Sequence, residues 1–163
     1  MATTKLLLDD DLSEEFDLIA IHCSEEAYKL AFMLNRHLEL RLERKRVDLD
    51  FSNDGLLVTF PIFEFDDHHN YTTYHLVGNV CKSVVARTQS TGGLFDAQSA
   101  EKVVISHLLP ESKRVDYFLK ISSDLDQVPV RAILGRINEI DQVISAYEID
   151  SESIKSSNNL IFN

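Results

Sequence analysis

The chain has 163 residues, 44 % of them hydrophobic, and a formal net charge of −11. That length fits one domain with a proper core, and the charge argues against a protein built mainly to hold nucleic acid, because phosphate binding needs clustered Lys and Arg. Two cysteines, Cys23 and Cys81, are too few to staple such a domain and read as reduced thiols. The apolar run Leu6 to Leu8 is shorter than a secretory signal needs, and no run approaches the length of a membrane span, so the expectation is a cytoplasmic protein.

In chain order, a first short strand is expected over 4–8, followed by an acidic loop over 9–17. The stretch FDLIAIHC (16–23) is short, apolar and β-rich, as in a strand buried on both faces. Ser24 is placed as an N-cap, with Glu25 and Glu26 at the positive end of a helix. Ala27, Leu30, Ala31, Leu34 and Leu38 follow at helical spacing, and this helix is expected to end around 38 to 43.

Strands are then predicted over 47–51 and 56–65, separated by the turn residues SNDG. Pro61 inside the second marks a sheet edge or a bulge, because proline cannot donate to the ladder. DDHHN (66–70) reads as a hairpin loop, and strands over 71–79 and 80–87 complete a meander. Residues 88–102, with Gly92-Gly93, read as a long loop. Strands over 103–109 and 115–121 follow, joined by a five-residue hairpin connection.

Asp124 or Asp126 is placed as the cap of a second helix, with Pro129 in its first turn. Val130, Ile133, Leu134, Ile137, Ile140, Ile144 and Tyr147 recur at three and four residues, the strongest periodicity in the chain. Gly135 within it suggests close approach of another backbone, and Leu160 to Phe162 suggest a short terminal strand. The order implies an α+β fold: an antiparallel sheet of about six to seven strands with two main helices on one face. All of 1–163 forms a single domain in this reading, with 151–163 as a loosely docked tail.

The string LPESKRVDYFLKI around the expected hairpin resembles the signature of the IPExxxVDY family of small bacterial proteins. Pro110, Glu111, Val115, Asp116 and Tyr117 match that signature directly, and Leu109 stands where the family pattern has Ile. DLIAIHCSEEAYKLAFMLNRHL, GLFD and the terminal NLIF are also similar to family members, so the resemblance covers most of the chain. It implies no assigned activity and no catalytic residues; the family's genes lie near those for ribonuclease III and pyruvate kinase. Taken as residues alone, the string is accounted for as a turn in which Glu111 and Asp116 accept backbone N–H bonds.

Several groups carry metal-ligand or nucleophile chemistry. Asp66, Asp67, His68 and His69, with His75 nearby, include ligand types, but neighbours on a strand point to opposite faces, so no metal is expected. His22 and Cys23 lie at a strand end before a helix, where a thiol is activated only if an imidazole reaches it; a buried, inert Cys23 is the simpler reading. Arg36, Arg41, Arg44, Lys45 and Arg46 concentrate cations in an acidic chain and form a candidate partner contact, although Glu39 and Glu43 interleave with them. No phosphate loop, HExxH, GxSxG or EF-hand pattern occurs, and no cofactor is expected.

The leading functional expectation is a non-enzymatic protein–protein interaction module whose partner presents a basic surface, with no direct nucleic-acid or membrane binding. One alternative is a small-molecule binder or enzyme with a pocket near His22, Cys23 and Asp116, walled also by His107, Glu111 and Tyr117. Another is an acidic nucleic-acid mimic that binds an RNA-processing enzyme, as the family's gene neighbourhood suggests.

Overall fold

A computed structural model of the chain describes residues 15–53, 56–86, 101–125 and 128–162. The apolar run Asp17–Cys23 forms β1, and Ala27–Leu38 forms α1. Glu26, rather than Ser24, occupies the N-cap, without a side-chain bond. Glu39 ends α1 in the left-handed region at φ 58°, a conformation in which the chain reverses. The Asn35 side chain then grips both the N–H and the C=O of Leu42, turning the chain into the two-residue strand β2, Glu43–Arg44.

β3 (Leu49–Asn53) and β4 (Leu56–Phe60) form a separate hairpin, and β5 (Ile62–Asp67) pairs with β6 (Thr72–Gly78). Pro61 therefore divides the expected 56–65 strand into two that belong to different sheets, consistent with its missing donor. β7 (Val80–Ala86) leaves the expected meander and pairs with β8 (Glu101–His107) in a two-stranded ribbon. β9 (Tyr117–Ser123) pairs with β1 and β6, so it forms no hairpin with β8; Pro110–Ser112 is one turn of 3₁₀ helix on the way between them.

α2 covers only Val130–Asn138, and β10 covers Val143–Ile149. The expected long second helix is corrected here. Ile140 and Val143 are buried across the intervening turn, so the apolar spacing continues while the backbone changes state. Ile144 is 72 % exposed, and Tyr147 is exposed as well. Ile144 stands at a bulge, because Ser145 pairs with His22 and Val143 with Cys23. A β-branched stretch supports a strand there as readily as a helix. Pro129, not Asp124, stands at the N-cap, and Asp126 lies outside the described residues. Among the described residues, a Cβ on Gly135 would meet nothing within 4 Å, so none of their backbone packs against that glycine.

The main sheet is antiparallel throughout, in the order β10-β1-β9-β6-β5-β2. Alternation along the strands divides the buried side chains into two cores. Ile19, Ile21, Leu76, Leu119 and Ile121 face α1 and α2, which contribute Leu30, Leu34, Ile133 and Ile137. Both helices thus lie on one face of the antiparallel sheet, and the α+β class holds. Leu18, Ala20, Val77 and Phe118 face the other way, against Val58 and Phe60 of β4, Leu108 and Leu109, and Ile154 and Leu160. The C-terminal segment docks by 3₁₀ turns at Ser151–Ser153 and Ser157–Leu160 instead of a strand. The expected strand over 4–8, most of the acidic 9–17 loop and the Gly92-Gly93 loop lie outside the described residues.

Candidate functional site

The LPESKRVDY string is held from within the fold. Glu111 accepts from the backbone N–H of Ser156 at 2.9 Å and from its hydroxyl at 3.0 Å. Partial burial works to raise the Glu111 carboxyl, but the Ser156 bonds outweigh it and hold the group below its ordinary value. Asp116 accepts the backbone N–H of Cys23 at 2.9 Å. The two carboxylates do accept backbone N–H groups, from other segments rather than from the turn itself. Val115 is buried in the second core, and Pro110 is exposed at the start of the 3₁₀ turn. Tyr117 Oη donates to the Glu25 carbonyl at 2.6 Å; burial pushes its phenol up to about 12.

The organiser of this loop is a residue that sequence reasoning passed over. Asn79 is fully buried; its amide donates to the carbonyls of Ser112 and Val115 and accepts from the Leu109 N–H. Its backbone N–H donates to Asp116 O, and its carbonyl accepts from the Leu108 N–H. An Asn between two apolar strands was the one available signal, since such a residue is seldom buried unless it is fully bonded.

Cys23, Asp116 and Tyr117 come together at the end of β1, and the His22 ring does not join them. The Cys23 thiol is buried and donates to Gln142 O at 3.4 Å, and burial pushes its pKa up. A raised thiol pKa lowers the fraction of thiolate nucleophile. His22 Nε2 lies 3.2 Å from Tyr147 Oη on the opposite side of the strand. His107 is on β8 and pairs with Val80.

The basic cluster is only partly available. Arg44 binds Asp48 at 2.6 Å and lies over the Phe63 ring, and Lys45 binds Glu64 at 2.9 Å. Arg36, Arg41 and Arg46 are exposed. In the 66–70 loop, Asp67 accepts from the N–H groups of His69 and Asn70, so it organises the turn. No group of three or more metal-ligating side chains occurs among the described residues.

Two of the concave surfaces among the described residues bear on function. One lies along α1 and is apolar: Tyr28, Phe32 and Met33 line it, with Glu25, Lys29 and Gln142, around a volume of about 660 Å³. Tyr28 is 58 % exposed and Phe32 is 65 % exposed, one helical turn apart. The second is polar, about 730 Å³, and lies on the sheet face away from the helices. Its floor includes His75, which is 7 % exposed and pairs in register with Lys120. His75 Nε2 lies 2.8 Å from Glu64 Oε2, and Glu64 also accepts from Lys45. The Lys45 bond holds the Glu64 carboxyl below its usual range, and burial pushes the His75 imidazole down despite Glu64. An ionised carboxylate only accepts, so His75 carries its proton on Nε2 and presents a bare Nδ1. That Nδ1 and the Ser122 hydroxyl are both buried without a protein partner among the described residues. Lys120 Nζ donates to Leu160 O and lies near the Phe16 and Phe162 rings.

No family model matches the chain, and neither does any curated protein or solved structure.

Proposed function

We propose that this protein is a non-enzymatic interaction module that offers the outer face of α1 to another protein. The observation that carries the reading is the pairing of Tyr28 and Phe32, two large exposed aromatics one turn apart beside Met33. Aromatic side chains in a groove are the usual anchors of binding energy at protein interfaces. The salt-bridged Glu25 and Lys29 border the groove, which gives it a polar rim. A net charge of −11 favours a partner that sets an apolar anchor within a basic surface. The enzyme alternative draws little support from the β1 end, where Asp116, Cys23 and Tyr117 are bonded within the fold.

Membership of the IPExxxVDY family belongs to the same proposal and rests on the matched string and its flanking stretches. A cytoplasmic location rests on the two free cysteines. No helix among the described residues is long and apolar enough to cross a membrane.

The test is affinity purification at native expression of the wild type beside a Tyr28→Ser/Phe32→Ser double variant. Both side chains are exposed, so the double variant should unfold at the wild-type urea concentration. The expected result is a protein recovered with the wild type and lost with the variant. Equal recovery by both removes α1 as the contact surface. Recovery of an RNA-processing enzyme that dissociates steeply with added salt would favour the acidic-mimic reading instead.

A further inference from the structure

The polar cleft lies on the face of the sheet opposite α1 and carries chemistry that an interaction module does not require. On β6 and β9 the register pairs Thr73 with Ser122 and His75 with Lys120. His75 and Ser122 are therefore diagonal neighbours on one face, close enough for one small ring to reach both. Each has a buried polar atom, Nδ1 and Oγ, with no protein partner among the described residues. Buried polar atoms are nearly always bonded, and exceptions point to water or a ligand. Leaving such a group unmade costs about 1–3 kcal/mol, so the pair is not a neutral feature of the core.

The surrounding charge selects the ligand class. Lys45, with Glu64, and Lys120 flank His75 at the inner end. Glu15, Asp66 and Asp124 are exposed at the rim. A cationic ligand beside His75 is opposed by the charges of Lys45 and Lys120, which both act on that imidazole, and an anionic one meets three carboxylates at the mouth and the lone pair of Nδ1. A hydroxyl escapes both conflicts because it donates and accepts alike: it donates to Nδ1 and exchanges a hydrogen bond with Ser122. Tyr71 and Phe162 also line the cleft and supply aromatic surface for the C–H side of a ligand. The volume falls within the range of about 300–1,000 Å³ usual for small-molecule clefts.

We propose that this cleft binds a small neutral polyol, of the size of one monosaccharide ring, through adjacent hydroxyls that pair with His75 Nδ1 and Ser122 Oγ. The Phe162 ring lies 5.1 Å from the His75 ring and both polar atoms are buried, so binding requires the Phe162 ring to move.

The experiment is an NMR titration of the full chain with D-glucose, D-galactose and myo-inositol, following the His75 imidazole nitrogens and the amides of β6 and β9. Putrescine and inorganic phosphate serve as charged probes. The same titrations are run on Ser122→Ala and Phe162→Ala. Ser122 Oγ bonds to no described residue, so Ser122→Ala removes an unbonded buried hydroxyl and should unfold at a urea concentration no lower than the wild type's. A saturable shift centred on His75 with at least one polyol, weakened about tenfold or more in Ser122→Ala, is the expected result. Absence of a saturable polyol shift in both the wild type and the opened Phe162→Ala variant overturns the proposal and leaves a bridging water on the two atoms. Tighter binding of putrescine or phosphate than of every polyol overturns it equally.

Discussion

Asn79 and Leu109 are thirty positions apart in the chain, and the Asn79 amide oxygen accepts the Leu109 backbone N–H at 2.9 Å in the interior. The same amide donates at 2.8 Å to the carbonyls of Ser112 and of Val115. One side chain thus closes the loop that carries Pro110, Glu111 and Val115 against the end of β6. Asn79→Ala would strand the Leu109 N–H and the Val115 carbonyl, at about 1–3 kcal/mol for each group that finds no water, and would leave the Ser112 carbonyl with only the Val115 N–H. We expect a loss of about 3 kcal/mol or more, seen as a lower urea midpoint at unchanged slope. Asn79→Asp keeps the acceptor, removes both donations and buries a charge, so it should rescue nothing. A wild-type midpoint for either variant would show that water can replace the amide.

Tyr117 ties the same loop to the start of α1 through its bond to the Glu25 carbonyl. Tyr117→Phe keeps the ring and should cost about 1 kcal/mol, the net worth of one such bond. Burial raises the phenol in the folded state to about 12 from an ordinary 10. The unfolded chain therefore releases this proton first as pH rises, and the stability linked to it declines from pH 10 upward. In ultraviolet titration of the native protein, the Tyr117 phenol should ionise late, near pH 12. The Phe variant should lack that late step and the matching part of the alkaline stability loss.

The sequence carried the identity of most elements, because burial patterns are local. After Asp17, FDLIAIHC has no polar residue until His22, and it becomes the interior strand β1. The stripe of Leu30, Ala31 and Leu34 is the buried side of α1. Pairing was less legible. Strands 103–109 and 115–121 look like a hairpin because they are adjacent and of equal length, yet Asn79 and the Ser156 contact to Glu111 hold the connection in a different path. The run from Val130 to Tyr147 misled for a related reason: Ile140 and Val143 stay buried through a turn, so helical spacing continues past the last helical residue. At the cleft, His75 and Glu64 were visible as residue types, but their contact depends on β5–β6 register, which fixes them as opposed neighbours.

β10 is an edge strand of the main sheet, and the Asn138 side chain caps it. Its amide donates to Ala146 O at 3.0 Å and accepts from Ala146 N at 2.9 Å, much as a neighbouring strand would. Open edges recruit other strands, and proteins blunt them with such local devices. Asn138→Ala should release both groups, with a stability loss of about 1 kcal/mol because the site is solvent-exposed. The more telling expectation is concentration-dependent self-association, measured by light scattering. A second variant, Asn138→Ala with Glu148→Pro, removes a backbone donor from β10 and should restore the light-scattering profile of the wild type. Association that persists in the second variant would place the contact elsewhere.

His75 gives the fold a pH response with a definite sign. It faces Glu64 of β5, Lys45 beyond β2, Lys120 of β9 and Phe162 of the C-terminal segment. Burial lowers its pKa from an ordinary 6.5, with Glu64 opposing and the two lysines assisting. The unfolded chain therefore takes up the proton first as pH falls. Stability is fully present above pH 6.5 and declines below it, until the folded imidazole titrates in turn. For one group the slope cannot exceed about 1.4 kcal/mol per pH unit. Glu64 acts in a separate window: its lowered carboxyl contributes above its ordinary 4.5 and loses that contribution only as pH falls through the folded value. His75→Gln preserves a donor to Glu64 and removes the titration. Urea unfolding from about pH 8 to pH 5 should show the wild type losing stability below 6.5 faster than the Gln variant. Parallel curves over that range would mean that the imidazole titrates alike in the folded and unfolded chains, and that Phe162 and the sheet do not hold it neutral.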